Sequence, residues 1–259
     1  MRIITLTTDY GFRDHYVGAL KGTLIRRIPN ISMVDIAHEV EKFNSDAAGF
    51  VVAHAFPFFP EGTVHFIDVG IHYGHELIFY LVYSENHWFI FQNPDIGNKL
   101  FYEREHRVWA INLKANHPFS FFLDEKMLDT IAWLLNINDP LESLGSPLAQ
   151  TPFDRYPLAP FKQGNILIGY VEYTDHYGNL HTNLPEKIVR EFTEGKRFQV
   201  IFCGESMDIY DSLVTVGATT SAALFNHVGK LVITVNKNSA KKMLFNNTHV
   251  QVQIALVEW

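Results

Sequence analysis

The sequence predicts an α/β fold, with an N-terminal Rossmann-like α/β domain whose sheet is mainly parallel and a C-terminal antiparallel β-barrel domain. Three observations predict it. Strands and helices alternate over residues 2–68, short strand-like runs follow from residue 166 onward, and residues 146–164 between them hold four of the chain's 11 prolines. We therefore expect domains at 1–145 and 165–259, joined by a linker at 146–164.

The N-terminal elements follow from β-branched runs and from apolar residues at helical spacing. Asp14 and Ser45 each precede such an apolar face, so we expect each of them to cap a helix. A strict alternation of strand and helix favours a parallel sheet, because parallel neighbours need a crossover connection. Strands are predicted at 2–7, 32–36, 63–68, 77–83, 88–92 and 108–113, and helices from Asp14 to Ile28, from Ser45 to Ala55 and over 124–135.

The C-terminal runs are short, apolar or alternating, and Gly, Asn and Asp separate them. This pattern is typical of a small antiparallel barrel or sandwich, and we take the barrel as the prediction. The predicted strands are 166–173, 198–202, 212–216, 231–235 and 250–256.

The composition excludes several classes of protein. Lys and Arg number 21 against 28 Asp and Glu, a net charge of −7, whereas a nucleic-acid binder carries a basic surplus. The single cysteine, Cys203, excludes an intramolecular disulfide and a multi-cysteine zinc site. No signal pattern and no apolar stretch of about 18 residues is present. We expect a soluble, cytoplasmic protein with no nucleic-acid or membrane partner.

Two carboxylates stand at the ends of predicted strands, at the edge where open α/β sheets bind ligands. Asp9 follows the first strand and can accept both hydroxyls of a ribose, hold a divalent metal or cap a turn. Asp68 ends the third strand and precedes a glycine-punctuated loop with His72 and His75. That loop can supply a general base or a metal ligand, or it can simply be solvated. The spacing on an irregular loop is weak evidence for a metal.

A third polar segment, residues 173–183, lies between two predicted strands of the C-terminal domain. A hairpin turn explains Gly178-Asn179 without a ligand. It does not explain the polar groups gathered around Tyr177, which suit a flat base with hydrogen-bonding edges.

These segments resemble the S-adenosylmethionine (SAM) hydroxide adenosyltransferase family, whose members hydrolyse SAM to adenosine and methionine and are related to fluorinases and chlorinases. The motifs occur in order along nearly the whole chain, which makes them more specific than any single motif. They are Thr8-Asp9-Tyr10-Gly11 with Asp14, Tyr16-Val17-Gly18 and Lys21-Gly22, then 34–39, 58–65 and 94–97, then 175–180 with Thr182-Asn183, and finally Asn226 with Gly229 and Asn236 with Ser239-Ala240.

The resemblance implies a hydrolase or adenosyl transferase that takes SAM as its substrate, with no cofactor and no metal. It also implies a homotrimer whose ligand sites lie between neighbouring subunits. Asp9 would bind the ribose, Asp175 the α-amino group, Tyr177 and Asn179 the adenine, and Phe43 and Phe121 would form aromatic walls. Further substrate-binding positions would be Asn226 and Asn236, and the catalytic positions Asp68 and His75.

The departures from the family pattern fall at the catalytic positions. Asp68 keeps the aspartate, but the following proline reads Val69, the arginine position reads His75 and the histidine position reads Phe122. A serine expected near the ligand's carboxylate reads His227. An arginine is a permanent cation, whereas an imidazole is mostly neutral at pH 7, so His75 would act as a base and not as a fixed charge.

Three functions therefore compete. The first is SAM hydrolysis, with water attacking the ribose 5′-carbon. The second is a SAM- or adenosine-binding protein that has lost hydrolysis, as Phe122 and His75 suggest. The third is a metal-dependent phosphohydrolase using Asp9, Asp14 and Asp68. We take the first as the prediction.

Overall fold

The computed structural model describes residues 2–70, 76–102, 104–114, 125–136, 144–153, 158–244 and 251–257. The chain divides into two compact units, Met1–Pro157 and Leu158–Trp259. None of the helices in these ranges is long and apolar enough to cross a membrane.

The first unit alternates strands and helices as the sequence predicts. Its elements are β1 (Ile3–Thr8), α1 (Tyr16–Arg27), β2 (Ser32–Ala37), α2 (Ser45–Ala55), β3 (Val64–Asp68), β4 (Glu76–Ser84), β5 (His87–Phe91), α3 (Pro94–Leu100), β6 (Arg107–Lys114) and α4 (Glu125–Asn136). A 3₁₀ turn, Phe56–Phe58, follows α2.

Six strands form one sheet in the order β2-β1-β3-β5-β4-β6. The first four strands of that order are parallel, and β4 runs antiparallel to both β5 and β6. The predicted mainly parallel sheet is therefore confirmed. Its core is apolar: Leu6 of β1 and Phe66 of β3 are fully buried, and so is Leu24 of α1.

The predicted helix caps are wrong, each by one residue. Helix α1 begins at Tyr16, and His15 occupies the cap position without a side-chain hydrogen bond. Helix α2 is capped by Asn44, whose side chain accepts from the Ala47 amide at 2.9 Å. Asn44 and Ser45 are both good capping residues, so the sequence did not distinguish them.

Helix α3 was not predicted as a helix, although its start signal is present. Asn93 caps it by accepting from the Asp95 amide at 3.0 Å, and Pro94 occupies the first turn, where a missing N–H does no harm. Helices α2 and α3 pack closely at Gly49, where a Cβ would lie 2.7 Å from Lys99 Cβ and 3.0 Å from the Ile96 carbonyl.

The second unit is an antiparallel sheet, as predicted. Its strands are β7 (Phe161–Gln163), β8 (Ile166–Thr174), β9 (Leu180–Pro185), β10 (Phe198–Phe202), β11 (Glu205–Met207), β12 (Ser221–Phe225), β13 (Lys230–Val235) and β14 (Gln251–Leu256). Two helices, α5 (Glu186–Thr193) and α6 (Ala240–Leu244), accompany them.

The strands follow the order β11-β10-β14-β8-β9-β13-β12, with β7 beside β8. A bridge between Ile209, just after β11, and Ala223 of β12 brings the two ends of the sheet together and nearly closes a barrel. The barrel prediction is confirmed. The predicted strand at 212–216 is wrong: Ser212 accepts from the Val214 amide at 3.2 Å, and Leu213–Thr215 form a 3₁₀ turn.

Candidate functional site

Asp9 joins three loops at the carboxyl edge of the first sheet. It directly follows β1, which lies between β2 and β3. Its Oδ2 accepts the backbone N–H of Phe43 at 2.9 Å and that of Gly70 at 3.3 Å. Phe43 follows β2 and Gly70 follows β3. Asp9 Oδ2 therefore links the chain segments that directly follow three neighbouring parallel strands. Within the described ranges, Oδ1 accepts no hydrogen bond.

The backbone around this carboxylate has little freedom. Phe43 and Gly70 both adopt positive φ angles, +63° and +69°. A Cβ on Gly70 would lie 3.3 Å from Ser45 Oγ and 3.4 Å from Asn93 Nδ2, two atoms that are themselves hydrogen-bonded at 2.6 Å. The Phe43 side chain is 72% exposed, so its ring is available to a ligand at this edge.

The second carboxylate of this edge, Asp68, ends β3 beside Thr8 of β1. The Tyr10 hydroxyl donates a hydrogen bond to its Oδ2. Burial raises the pKa of the Asp68 carboxyl to about 6; the Tyr10 hydrogen bond opposes this rise and the nearby Asp9 charge adds to it. Asp68 is thus ionised at neutral pH but close to its titration range.

A chain of polar groups runs from the solvent-accessible Lys21 and Asp35 to the buried His38 and Thr8, and it supports the loop after β1. The Thr8 hydroxyl is hydrogen-bonded to His38 Nδ1 at 2.8 Å, and His38 Nε2 lies 3.1 Å from Asp35 Oδ1. Asp35 also accepts from Lys21 Nζ at 2.5 Å, and the Gly11 amide donates to the His38 carbonyl at 2.6 Å. His38 is almost completely buried. It therefore fixes the backbone on both sides of Asp9.

In the second unit, Asp175 organises the turn between β8 and β9. Its carboxylate accepts the backbone N–H and the side-chain Nδ2 of Asn179, both at 2.9 Å, and His181 Nε2 lies 3.2 Å away. Burial alone would raise the pKa of the Asp175 carboxyl, but the hydrogen bonds from Asn179 and His181 outweigh it and keep the pKa below its ordinary value. Asp175 is an anion at neutral pH.

The same turn presents an aromatic ring to solvent. Tyr177 is 78% exposed. The next residue, Gly178, has φ +84°, and a Cβ there would lie 2.8 Å from Ser239 Cβ and 3.2 Å from Ser239 Cα. Only glycine fits at this point. The close approach to Ser239 fixes the backbone of the turn directly after Tyr177.

Three predicted asparagines are engaged within the second unit. Asn179 Oδ1 accepts from Thr234 at 2.6 Å, so one of its two Nδ2 hydrogens remains for a ligand after the bond to Asp175. Asn226 lies 3.5 Å from His181 Nδ1 and accepts the Lys230 amide at 2.9 Å. Asn236 donates to the Val216 carbonyl at 2.6 Å, which anchors the segment before β12.

The structure thus brings the predicted residues into two groups, one in each unit. Asp9, Asp68 and Phe43 share the edge of the first sheet, and Asp175, Tyr177, Asn179 and Asn226 gather around one turn, whereas Asn236 lies on a neighbouring loop. His75, Phe121 and Phe122 lie outside the described residues. Among the residues that are described, no group of three or more His, Cys, Asp or Glu side chains could hold a metal ion.

Sequence reasoning missed the residues that hold the carboxylates. Tyr10 was noticed only as part of a motif, and His38 and Asn93 likewise had no assigned role. Their contacts join residues far apart in the chain, such as Tyr10 and Asp68, so no local pattern reveals them. Asn93 had one local signal, an Asn-Pro pair typical of a helix start.

We expect Asp68→Asn to be more stable to unfolding than the wild type at pH 8 and equally stable near pH 3.5. The folded-state pKa of about 6 lies above the ordinary value, so the charged form opposes folding above pH 6, and the penalty vanishes below the unfolded-state pKa of about 3.9. Because Asp68 is partly exposed, solvent screens part of this penalty. We therefore expect Asp68→Asn to raise the free energy of unfolding at pH 8 by roughly 1–2 kcal/mol, which corresponds to about 2–6 °C in Tm.

Thermal unfolding of both proteins at the two pH values measures this gain. Asp211→Asn, which removes an exposed carboxylate, is the matched control and should change Tm at neither pH. An equal or lower Tm for Asp68→Asn at pH 8 would contradict the raised pKa.

Comparison with solved structures supports the fold. The crystal structure of an uncharacterised conserved protein from Thermotoga maritima superimposes with a TM-score of 0.81 at 23% identity, covering 97% of this chain and 99% of that one. A conserved hypothetical protein from Thermus thermophilus gives a TM-score of 0.72 at 21% identity over 99% of this chain and 100% of that one.

Comparison of sequences identifies the family. Residues 4–145 match the model of the SAM hydroxide adenosyltransferase N-terminal domain, and residues 169–253 match that of the C-terminal domain. A protein named (R)-S-adenosyl-L-methionine hydrolase from Methanocaldococcus jannaschii is 32% identical over 71% of this chain and 67% of its own length. One of the same name from Thermus thermophilus is 24% identical over 94% of this chain and 96% of its own length. The predicted resemblance is confirmed: the chain belongs to the SAM hydroxide adenosyltransferase family.

Proposed function

We propose that the protein hydrolyses SAM to adenosine and methionine. One observation carries this proposal beyond family membership. Two carboxylates, Asp9 and Asp68, lie at one sheet edge and are held by different partners, one by backbone amides and the other by a phenol. This arrangement supports two separate roles: Asp9 binds the ribose, and Asp68 orients the attacking water.

Asp9 binds the ribose. Its Oδ2 is occupied by two backbone amides, so Oδ1 is the oxygen that accepts the 2′- and 3′-hydroxyls. A charged acceptor that is already fixed loses little freedom when the ligand arrives, and hydrogen bonds to ionised groups are stronger than neutral ones. The exposed Phe43 ring then forms a wall beside the sugar, together with Phe121.

The second group of residues binds the rest of the ligand. Tyr177 stacks on adenine, the remaining Nδ2 hydrogen of Asn179 bonds the edge of the base, and the anionic Asp175 receives the α-amino group. Asn226 and Asn236 are further substrate-binding positions that the family resemblance implies. The cationic sulfonium is well tolerated by aromatic faces.

Asp68 acts on water. The Oδ1 of the ionised carboxylate accepts a hydrogen bond from a water molecule and orients its lone pair toward the ribose 5′-carbon, with His75 as a second base. A bond forms between the water oxygen and the 5′-carbon while the carbon–sulfur bond breaks and its electron pair returns to sulfur. Methionine leaves as a neutral thioether, and the proton of the attacking water passes to the base and then to solvent. A sulfonium is already a good leaving group, so positioning matters more than acid catalysis.

We expect kcat/KM to fall about tenfold per pH unit below pH 6, because Asp68 must be ionised and its pKa is about 6. Asp68→Asn should lower the rate about 10²–10⁴-fold and remove this pH dependence. Chromatographic measurement of adenosine and methionine between pH 4.5 and 8.5 gives both results, with Asp129→Asn, an exposed carboxylate on α4, as the control that keeps the wild-type profile.

A second function, SAM or adenosine binding without hydrolysis, is favoured by His75 and Phe122 at the altered catalytic positions. The same experiment separates the two functions. Turnover by the wild type that depends on Asp68 supports hydrolysis. Calorimetric binding of SAM with no product, or with product at the level of Asp68→Asn, supports the binding protein instead.

We expect Asp9→Asn to weaken adenosine binding about 10–100-fold. The amide side chain can still accept from Phe43 and Gly70, so the loops stay in place, but the charge-assisted bonds to the ribose are lost. Isothermal titration calorimetry measures the change in Kd, again with Asp129→Asn as the control. A Kd within twofold of wild type would show that Asp9 does not bind the sugar.

The working assembly is a homotrimer with ligand sites between neighbouring subunits, as the family resemblance implies. We expect light scattering after size-exclusion chromatography to give three times the chain mass of 29.7 kDa. A monomer or dimer that hydrolyses SAM at full rate would refute this assembly.

A further inference from the structure

The Asp68 side chain accepts a hydrogen bond from the phenol of Tyr10, which follows a different strand. Tyr10 lies two residues after β1, and its hydroxyl crosses to the end of β3 to donate to Asp68 Oδ2. A tyrosine hydroxyl has a single proton to donate, so this bond commits it to the carboxylate. Tyr10 also contacts other residues, but this hydrogen bond is the contact that it makes with a carboxylate at the carboxyl edge of the first sheet.

The Tyr10 ring is held before any ligand arrives. It packs against the apolar core of the first unit and meets the Tyr16 ring edge-on, with centroids 6.0 Å apart at 62°. Its backbone amide donates to Thr8 Oγ1 at 3.3 Å, and that hydroxyl is in turn bonded to buried His38. The hydroxyl is therefore a fixed donor, placed by the core and by the chain of polar groups beneath the loop.

A fixed donor on one oxygen restricts the whole carboxylate. A free aspartate rotates about its Cβ–Cγ bond and presents either oxygen, whereas Oδ2 of Asp68 is tied to Tyr10. Within the described part of the chain, no hydrogen bond reaches Oδ1. The two oxygens are thus distinguished: Oδ2 already accepts the Tyr10 proton, whereas both lone pairs of Oδ1 remain for a water molecule.

We propose that Tyr10 is a positioning residue for hydrolysis, which holds the Asp68 carboxylate with Oδ1 directed at the attacking water. This role rests on the proposed function. It also fits the altered catalytic positions. The resemblance implies an arginine and a histidine beside this aspartate at the positions that read His75 and Phe122 here, and Tyr10 supplies a fixed donor to the carboxylate.

Tyr10→Phe keeps the ring and its packing but removes the hydroxyl. We expect kcat to fall about 10–100-fold while KM for SAM and the Kd for adenosine stay within twofold, because Tyr10 contacts the carboxylate and not the substrate. Tyr83→Phe is the matched control. It removes a hydroxyl that donates to Asn86 at 2.8 Å at the opposite end of the sheet, and it should change none of these constants.

Carbon-13 NMR of protein labelled at the aspartate Cγ gives a readout that a purely structural role would not move. The Asp68 signal, assigned with Asp68→Asn, should shift in Tyr10→Phe, and it should titrate at higher pH because a hydrogen bond to the charged form has been removed. The other aspartate signals should stay close to wild type, and so should the Tm at pH 3.5, where Asp68 is protonated in the folded state. At pH 8 the Tm should fall, because a higher folded-state pKa costs stability where the carboxyl is charged.

The outcomes separate this inference from the proposed function. Wild-type turnover with an unchanged kcat in Tyr10→Phe overturns the role of Tyr10 alone. A loss of kcat and adenosine affinity together with a lower Tm at pH 3.5 also overturns it, because that pattern indicates a structural role. A wild-type protein without turnover refutes hydrolysis, and the positioning role with it.

Discussion

The arrangement of the candidate site depends on the two backbone amides that meet at Asp9. Phe43 follows β2 and Gly70 follows β3, and the carboxylate supplies a common acceptor for the backbone N–H groups of both residues. Its charge makes these bonds stronger than amide–carbonyl bonds. This one oxygen therefore holds the backbone of Phe43 and of Gly70, and the position of the second oxygen is set at the same time.

The two carboxylates of this edge differ because their surroundings differ. The Asp9 carboxylate accepts two backbone N–H groups. Asp68 is partly buried beside the Asp9 charge, and within the described ranges the Tyr10 hydroxyl is the hydrogen-bond donor that stabilises its own charge. A carboxylate left in such surroundings opposes folding above its pKa. Sites that bind and react commonly carry a local penalty of this kind, which the apolar core of the first unit offsets.

The sequence predicted most strands and both strand-end carboxylates, because β-branched runs and turn residues are local signals. It predicted Asp14 and Ser45 as caps where the structure has His15 and Asn44. Asn44 and Ser45 are equally good capping residues, whereas His15 makes no capping hydrogen bond, so no residue preference indicates it. It also read 212–216 as a strand from its apolar residues, although the Ser212 hydroxyl folds this segment into a turn. The Tyr10–Asp68 bond had no signal at all, because β1 and β3 become neighbours only in the folded sheet.

The close contact between Gly178 and Ser239 restricts the size of the side chain at both positions, although they lie far apart in the sequence. The turn that carries Tyr177 rests directly on Ser239, with a positive φ at Gly178 and no room for a methyl group. A bulkier residue at either position would force the backbone of the turn away from Ser239. Among relatives that keep this turn, the two positions should therefore stay small together, and a lineage that enlarges one of them must change the backbone path of the turn.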